Sequence, residues 1–327
     1  MKILVRLPNW LGDMIMSIGF INAIHEVYPG AQISVIAKKG IDGLLEFFPS
    51  TSEAFIFSKD EYPGITGAWR FGKMIHKKEK YDLFFCLPDS FSSALMGFAA
   101  GAKKRIGYGK ELRGLLLTSI FKKQPSLHRA EEYINLLEQY INGKIKQKKI
   151  FLNIVPVLKD DHFVVNINSE ASSRRLPALK AISLIAALRQ RSESHIYLIG
   201  GNKDAAYTEE VFRKLPHQEG IFNMAGKTSL KELVSLMASA RVVLTTDSGP
   251  AHLANATGTY TVVLFGAGNE KNTAPYNAGN RSIIRLGHLP CEPCVKNTCV
   301  LYGIPKCLEL LNEEEIIEKV MNRRYEV

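Results

Sequence analysis

The chain has 327 residues, of which 46% are hydrophobic, and this length and composition fit two ordinary globular domains. No apolar run is long enough to cross a bilayer, and the first residues, Met1–Arg6, lack a signal-peptide layout, so we expect a cytosolic protein. The formal net charge of +10 favours acidic partners. Because the sequence has no nucleic-acid-binding motif and no aromatic stacking platform, we exclude nucleic acid as that partner.

The amino-terminal residues form a strand–loop–helix–strand pattern. We predict strands at Lys2–Leu7 and Gln32–Ala37, and an apolar-periodic helix at Met14–His25 between them. This order is typical of a Rossmann-like half, but no G-x-G-x-x-G is present, so a redox dinucleotide is not indicated. Asp13 lies at the carboxyl end of the first strand, where open α/β sheets bind ligands; a plain helix cap is the alternative.

A dense basic block follows the next predicted elements. Phe55–Phe57 and Leu83–Leu87 predict strands, Ser90–Ala100 predicts a helix, and the block extends from Lys103 to Arg129. It is either a solvated face or the seat of an anionic acceptor. The acceptor candidates are Lys104, Arg105, Arg113 and His128.

A second α/β half begins after a polar connector. An amphipathic helix at Glu131–Tyr140 and the Lys-rich connector Gly143–Lys149 close the first half, so we place the domains at 1–155 and 156–327. The second half has predicted strands at Phe163–Ile167, His195–Ile199, Ile221–Asn223, Val242–Leu244 and Tyr260–Phe265. Predicted helices are Ala178–Gln190, one capped by Ser229, and a closing helix at Asn312–Arg323. Two successive halves of this kind predict an α/β protein with two Rossmann-like domains facing across a cleft.

One strand–turn–helix joint of the second half is a candidate anion site. After the strand at Val242–Leu244, an N-cap residue (Asp247 or Ser248) and Pro250 start a helix. Free N–H groups and the dipole at such a helix start favour a pyrophosphate, and His252 adds a donor. An ordinary well-capped joint is the alternative.

Four cysteines are concentrated in one loop near the end of the chain. Cys291, Cys294, Cys299 and Cys307 have the spacing C-x2-C-x4-C-x7-C. Four thiolates can enclose zinc, but this is not a standard zinc-ribbon spacing. A compact loop with free thiols is the alternative, and we assign no metal site.

Several segments, in this order, resemble the bacterial heptosyltransferases of glycosyltransferase family nine. The similar segments are Leu7–Ser17, Lys104–Tyr108, Gly114–Thr118, Asn223–Leu230, Asp247–His252 and the cysteine loop after Pro290. Together they span nearly the whole chain. The resemblance implies the two-domain GT-B type glycosyltransferase fold, with an acceptor-binding first domain and a donor-binding second domain.

The same resemblance implies a reaction and its partners. It implies inverting transfer of heptose from ADP-heptose to the anionic, lipid-linked inner core of lipopolysaccharide, with no metal or cofactor beyond the ADP-sugar substrate. We expect a cytoplasmic enzyme with peripheral contact to the inner face of the inner membrane. A family-nine enzyme with another nucleotide-sugar donor or a non-lipopolysaccharide acceptor is the main alternative.

Site residues also follow from the resemblance. Asp13 matches the family's general base, and Arg174 aligns with a family lysine, where it keeps the charge for the leaving diphosphate. Leu176 stands where the family has an aromatic residue, which leaves the donor sugar open. The donor-binding candidates are Ser172, Ser173, Met224, Gly226, Lys227, Asp247, Ser248, Gly249, Ala251 and His252.

Two rival classes share parts of this pattern. A nucleotide-sugar epimerase of the same fold would have Ser-Gly-Gly with nearby acidic residues after the strand, where this chain has Ser248-Gly249-Pro250-Ala251-His252. A non-catalytic phosphate- or nucleotide-binding protein would need no base facing the cleft, so an Asp13 buried away from the inter-domain space would favour this class.

Overall fold

The computed structural model describes residues 1–146 and 148–322, apart from the side chain of Glu111. The chain divides into two compact units, Met1–Asn153 and Ile154–Val327, so the division falls two residues before the one expected from the sequence. Gln147 of the predicted connector and Arg323 of the predicted closing helix lie outside the described residues. Within the described part of the chain, no helix is long and apolar enough to span a membrane.

The first unit is built on a six-stranded parallel sheet in the order β3-β2-β1-β4-β5-β6. Its strands are β1 (Lys2–Arg6), β2 (Gln32–Lys38), β3 (Glu53–Phe57), β4 (Leu83–Cys86), β5 (Lys104–Tyr108) and β6 (Ser119–Phe121). Val5 of β1 pairs with Val35 and Phe85 on either side. The central strands are apolar runs because both sheet faces are covered by helices.

Among the described residues of this unit, five α-helices accompany the sheet. They are α1 (Leu11–Met16), α2 (Ile18–Val27), α3 (Gly64–Lys78), α4 (Phe91–Ala99) and α5 (Arg129–Ile141). The prediction of a single helix at Met14–His25 is wrong in two respects: the helical segment starts at Leu11, and it is interrupted at Ser17. The Ser17 hydroxyl donates to the carbonyl of Met14 at 2.6 Å, which competes with the regular backbone pattern.

Close packing on the sheet depends on two glycines. A methyl group at Gly97 of α4 would lie 2.1 Å from Cδ1 of Phe84 in β4, and one at Gly72 of α3 would lie 2.5 Å from the carbonyl oxygen of Met96. Such distances are far below van der Waals contact, so α3, α4 and the sheet approach this closely only because both residues lack a Cβ.

The second unit repeats the architecture, with the strand order β12-β11-β10-β7-β8-β9. Its strands are β7 (His162–Asn166), β8 (His195–Leu198), β9 (Ile221–Asn223), β10 (Val242–Thr246), β11 (Thr261–Phe265) and β12 (Arg281–Arg285). Its helices are α6 (Ala178–Arg191), α7 (Ala205–Arg213), α8 (Leu230–Ser239), α9 (Gly249–Ala256), α10 (Glu270–Thr273), α11 (Lys306–Glu309) and α12 (Glu313–Met321). The core lies between this sheet and its helices, with Phe163, Leu244 and Ile317 among its buried members.

Both sheets have the Rossmann strand order, which confirms the predicted α/β class. In each, the chain builds three strands outward from the centre and then returns to build three on the other side. The direction reverses between β1 and β4 in the first unit and between β7 and β10 in the second. Open parallel sheets bind ligands outside the carboxyl ends of the strands at this reversal point, so the candidate sites are sought there.

Candidate active site

Asp13 lies at the reversal point of the first sheet, in the first turn of α1 directly after β1. Its Oδ1 accepts a hydrogen bond from the hydroxyl of Tyr133 at 3.0 Å and lies 3.7 Å from Nε of Arg129. Both partners belong to the first two turns of α5. A carboxylate fixed in this way at a strand end is placed as a base would be, while its side chain remains partly exposed.

A chain of alternating charges extends from Asp13 along the carboxyl edge of the sheet. Arg129 donates to Glu132 at 2.9 Å, and Lys123 bridges Glu132 at 2.7 Å and Asp89 at 2.6 Å. Asp89 follows β4, the other strand at the reversal point. We call Asp13, Asp89, Lys123, Arg129, Glu132 and Tyr133 the carboxyl-edge cluster. Lys123 and Arg129 are paired with Asp89 and Glu132, so Asp13 does not face an uncompensated negative charge.

Burial raises the pKa of the Asp13 carboxyl above its usual range. The charge of Arg129 and the Tyr133 hydrogen bond act in the opposite direction, because both favour the carboxylate. A raised pKa makes the carboxylate a stronger proton acceptor.

Replacing Tyr133 with Phe is expected to move the acid limb of the kcat–pH profile to higher pH. The variant removes a hydrogen bond to the carboxylate, so the pKa of Asp13 rises. When the pH is lowered, Asp13 therefore becomes protonated, and activity is lost, at a higher pH than in the unmodified enzyme. We expect a shift of about one to two pH units, as for one hydrogen bond to a charged group. Tyr140→Phe on the same helix is the matched control; equal profiles for the two variants would contradict the role of Tyr133.

The predicted acceptor residues do not form one site, and this is a correction. Lys104 and Arg105 lie at the amino end of β5, opposite to the edge that carries Asp13. The guanidinium of Arg105 is held by the carbonyls of Leu116 and Ala102.

The other two acceptor candidates do lie at the carboxyl edge. Arg113 is buried and donates to the carbonyl of Pro88 at 2.6 Å, so it positions the loop after β4. His128 is the N-cap of α5, and its ring accepts from the amide of Ala130. Both residues therefore support the segments that carry the carboxyl-edge cluster. These bonds do not assign either residue to a contact with the acceptor.

In the second unit, Arg174 and Asp247 meet at the reversal point between β7 and β10. Arg174 ends a 3-10 segment, Ser172–Arg174, that follows β7, and Asp247 follows β10. Their nearest atoms, Nη1 and Oδ2, are 3.4 Å apart. Burial raises the pKa of Asp247, and Arg174 acts against that shift. The pair presents a partly exposed cation at the start of α9.

The start of α9 has the geometry of an anion site. Ser248 is the N-cap residue, but its side chain does not cap the helix; it donates to the carbonyl of Thr246 and accepts from Asn166 at 2.9 Å. The amides of the first turn therefore do not bond to the N-cap side chain; that of Ala251 donates to the carbonyl of Ser248 at 3.1 Å, Pro250 has no N–H, and Gly249 lies at the first position. The helix dipole adds to the attraction for a phosphate group at this end. His252 is buried in the same first turn.

The loop after β11 packs closely against the side chain of Asp247. A methyl group at Gly268 would lie 1.9 Å from Oδ2 of Asp247. The loop is itself held by Arg285, which donates to the carbonyls of Gly266 and Gly268 and pairs with Glu270 at 2.7 Å.

Gly268→Ala is expected to lower the free energy of unfolding by about 1–3 kcal/mol, the usual cost of an overpacked interior. The added methyl group must displace the buried Asp247 carboxylate, so the Arg174 contact is lost as well. Gly279→Ala is the control, because a methyl group there meets no heavy atom of the described residues within 4 Å. Chemical denaturation of both variants measures the difference; equal stabilities would show that Asp247 moves freely.

The remaining predicted donor residues lie at the same edge of the second sheet. Met224, Gly226 and Lys227 form the turn after β9, where Gly226 has a φ of +73° and Lys227 donates to the carbonyl of Asn223. Ser172 donates to the carbonyl of Asn297 at 3.2 Å. The prediction of Ser173 as a donor-binding residue is corrected. Ser173 is buried, and its hydroxyl donates to the carbonyl of Lys296, so it holds the loop that carries Arg174.

The cysteine loop therefore adjoins the Arg174 loop. Cys291, Cys294, Cys299 and Cys307 line one small cavity together with Ser173, and all four are free thiols. Burial raises the pKa of Cys307 to about 11, so this thiol is protonated at neutral pH. Across residues 1–146 and 148–322, no three His, Cys, Asp or Glu side chains are arranged to hold a metal ion.

The side chains that orient the site from a distance were not predicted from the sequence. Tyr133 reaches Asp13 across 120 positions, and Asn166 donates to both Thr245 and Ser248. A polar Asn at the end of the apolar run Phe163–Val165 was the available signal for the second. For Tyr133 the sequence offered no signal other than a tyrosine among the charged residues of an amphipathic helix.

Two units, each a six-stranded parallel sheet with Rossmann strand order and helices, are the architecture of a GT-B type glycosyltransferase. The chain belongs to glycosyltransferase family 9 (heptosyltransferase), whose family model matches residues 68–304. This confirms the resemblance seen in the sequence, and the protein is a glycosyltransferase.

Relatives and a solved structure are similar over most of the chain. The chain is 27% identical to lipooligosaccharide heptosyltransferase 2 of Campylobacter jejuni, over 98% of both sequences. It is 29% identical to lipopolysaccharide heptosyltransferase 2 of Escherichia coli K12, over 88% of both. The structure of E. coli ADP-heptose LPS heptosyltransferase II superposes with a TM-score of 0.83 at 25% identity, over 98% of this chain and 97% of that one.

Proposed function

We propose that this enzyme transfers heptose from ADP-heptose, with inversion, to an anionic lipid-linked core oligosaccharide of lipopolysaccharide. The observation that carries the proposal is the carboxylate of Asp13, held by Tyr133 at the reversal point of the first sheet in a member of a heptosyltransferase family. The names of the relatives support the donor and the acceptor.

The first unit supplies the base. Asp13 takes the proton of the acceptor hydroxyl as the new glycosidic bond forms. Its Oδ1 is held by Tyr133, so we assign Oδ2 to the acceptor hydroxyl. The charge of Arg129 favours the carboxylate form before the transfer, and Arg129 remains beside Asp13 when the carboxyl becomes protonated.

The second unit stabilises the leaving group. As the bond between heptose and diphosphate breaks, negative charge grows on the ADP. The amide of Gly249, the dipole at the start of α9 and the guanidinium of Arg174 stabilise that charge, and His252 adds a donor. Asp247 holds Arg174 in place at 3.4 Å. These residues act without a metal ion or further cofactor in the proposed reaction.

The acceptor is held by the cations of the carboxyl-edge cluster. Lys123 and Arg129 are partly exposed, and each already pairs with Glu132, so an acceptor phosphate would join an existing ion network. Because this acceptor is lipid-linked, we propose that the enzyme works as a peripheral protein on the cytoplasmic face of the inner membrane.

The test is direct. The enzyme is incubated with ADP-heptose and a truncated, heptose-accepting core oligosaccharide, and the product is examined by mass spectrometry for the gain of one heptose. Asp13→Asn is the inactive control. Parallel reactions with UDP- and GDP-sugars, and with a non-lipopolysaccharide acceptor, test the alternative donors and acceptors. Transfer with one of those and none with ADP-heptose would overturn the proposal.

A further inference from the structure

The chain between β5 and β7 presents an apolar surface at the edge of the first sheet. We define the edge surface as Lys110, Leu112, Leu115, Ile120 and Lys122. Leu112 is 71% exposed, Leu115 82% and Ile120 54%. Ile120 belongs to β6, the outermost strand, and the two leucines to the 3-10 segment Glu111–Leu116 that leads to it.

These apolar side chains are held outward by residues that anchor the segment. Arg113 is buried and bonded to Pro88, and Leu117 is packed in the core beneath α4. With both anchors fixed inward, Leu112 and Leu115 face solvent. Ile120 adjoins the same segment, since a methyl group at Gly114 would lie 3.4 Å from its Cδ1. The exposed apolar groups are therefore part of a built surface.

The charge around the edge surface is strongly positive. Residues 103–123 contain seven Lys or Arg residues and a single acidic residue, Glu111. Lys110 and Lys122 are exposed and follow β5 and β6, and the amide of Gly109 bonds to the carbonyl of Phe121, which brings these two chain segments together. Apolar side chains flanked by lysines match the interface of an anionic bilayer, where the apolar groups enter the headgroup boundary and the lysines meet phosphates.

We propose that the edge surface docks the enzyme on an anionic lipid bilayer. The proposal rests on the proposed function in one respect, that a lipid-linked acceptor is met at a membrane. The edge surface borders the carboxyl-edge cluster, because Arg113 of the same segment lies 3.6 Å from Asp89. Docking through it places the acceptor-binding edge of the sheet beside the lipid headgroups.

The test measures binding of the full-length protein to vesicles that contain neither donor nor acceptor. Co-sedimentation is compared for vesicles of phosphatidylcholine alone and vesicles that include phosphatidylglycerol. We expect binding to the anionic vesicles only, and a loss of about tenfold or more in the partition coefficient for Leu112→Ser/Leu115→Ser. Lys110→Gln/Lys122→Gln is expected to weaken binding less at high salt than at low salt.

The control is Leu179→Ser/Leu310→Ser, which removes two exposed leucines from the second unit. It is expected to bind anionic vesicles as the unmodified protein does. The thermal unfolding midpoint of Leu112→Ser/Leu115→Ser should match that of the control variant, which shows that the edge-surface variant is folded without relying on transfer activity.

Two outcomes overturn the proposal: no binding of the unmodified protein to anionic vesicles, or equal binding by the edge-surface and control variants. Because the vesicles carry no substrate, a failure of heptose transfer leaves this measurement readable. Loss of vesicle binding in the edge-surface variant together with no transfer from ADP-heptose would remove the proposed function and leave the docking surface standing.

Discussion

Asp13→Asn is expected to lower kcat by about 10²- to 10⁴-fold, the usual contribution of a positioned general base. The amide cannot accept the proton of the acceptor hydroxyl, yet its oxygen still accepts the hydrogen bond from Tyr133, so α1 and α5 keep their contact. The affinity for ADP should be unchanged, because the proposed donor residues belong to the second unit. Steady-state kinetics and calorimetry with ADP measure the two quantities separately.

The matched control for this prediction is Asp42→Asn, an Asp-to-Asn change at a partly exposed residue in the first turn of another short helical segment of the same unit. It should leave kcat unchanged. A kcat for Asp13→Asn within threefold of the unmodified enzyme would reject Asp13 as the base. A parallel loss of ADP affinity would instead point to a damaged fold.

The central strands were predictable because a strand that is buried on both faces has a continuous run of apolar residues in the sequence. Strands β1, β2 and β4 were predicted to within one residue of their observed ends, and so was α6. Strand β5 was not recognised, because Lys104 and Arg105 lie in its exposed amino end and mask the apolar half. The three-residue strand β6 is too short to carry a periodic signal.

The basic block shows why charge in sequence does not define a surface. Lys104 and Arg113 are nine positions apart, but β5 carries the chain across the sheet between them, about 3.3 Å per residue. Lys104 stays at the amino edge, whereas Arg113 is buried at the carboxyl edge. A pattern of lysines and arginines predicted an anionic partner; only the strand direction decides which cations can contact the same ligand.

The candidate site was predictable where its parts are local and not where they are distant. A carboxylate after a strand and a helix start after β10 follow from strand–turn–helix order. The pairing of Arg174 with Asp247, 73 positions apart, and of Tyr133 with Asp13 depends on how the strands are ordered in each sheet. No periodicity within one chain segment encodes that order.

Arg174→Gln is expected to raise the Kd for ADP by about 10- to 100-fold, as for the loss of a charge-assisted hydrogen bond to a phosphate. Gln keeps most of the length of the side chain but removes the cation, and Arg174→Lys should lose less affinity because the charge remains. Loss of this cation also removes the group that lowers the pKa of the buried Asp247, so thermal unfolding of the variant is measured first to establish that it is folded.

The neighbouring arginine supplies the control that makes this prediction sharp. Arg175 lies in the same loop, but it pairs with Asp204 at 3.4 Å and stacks over Tyr207 at 5.0 Å, so its guanidinium is directed away from Asp247. Arg175→Gln removes the same charge from the same loop and changes the net charge equally. If both variants lost ADP affinity to the same extent, the effect would come from the overall field of the loop. A loss confined to Arg174→Gln locates the diphosphate at the start of α9, because only Arg174 is held there by Asp247.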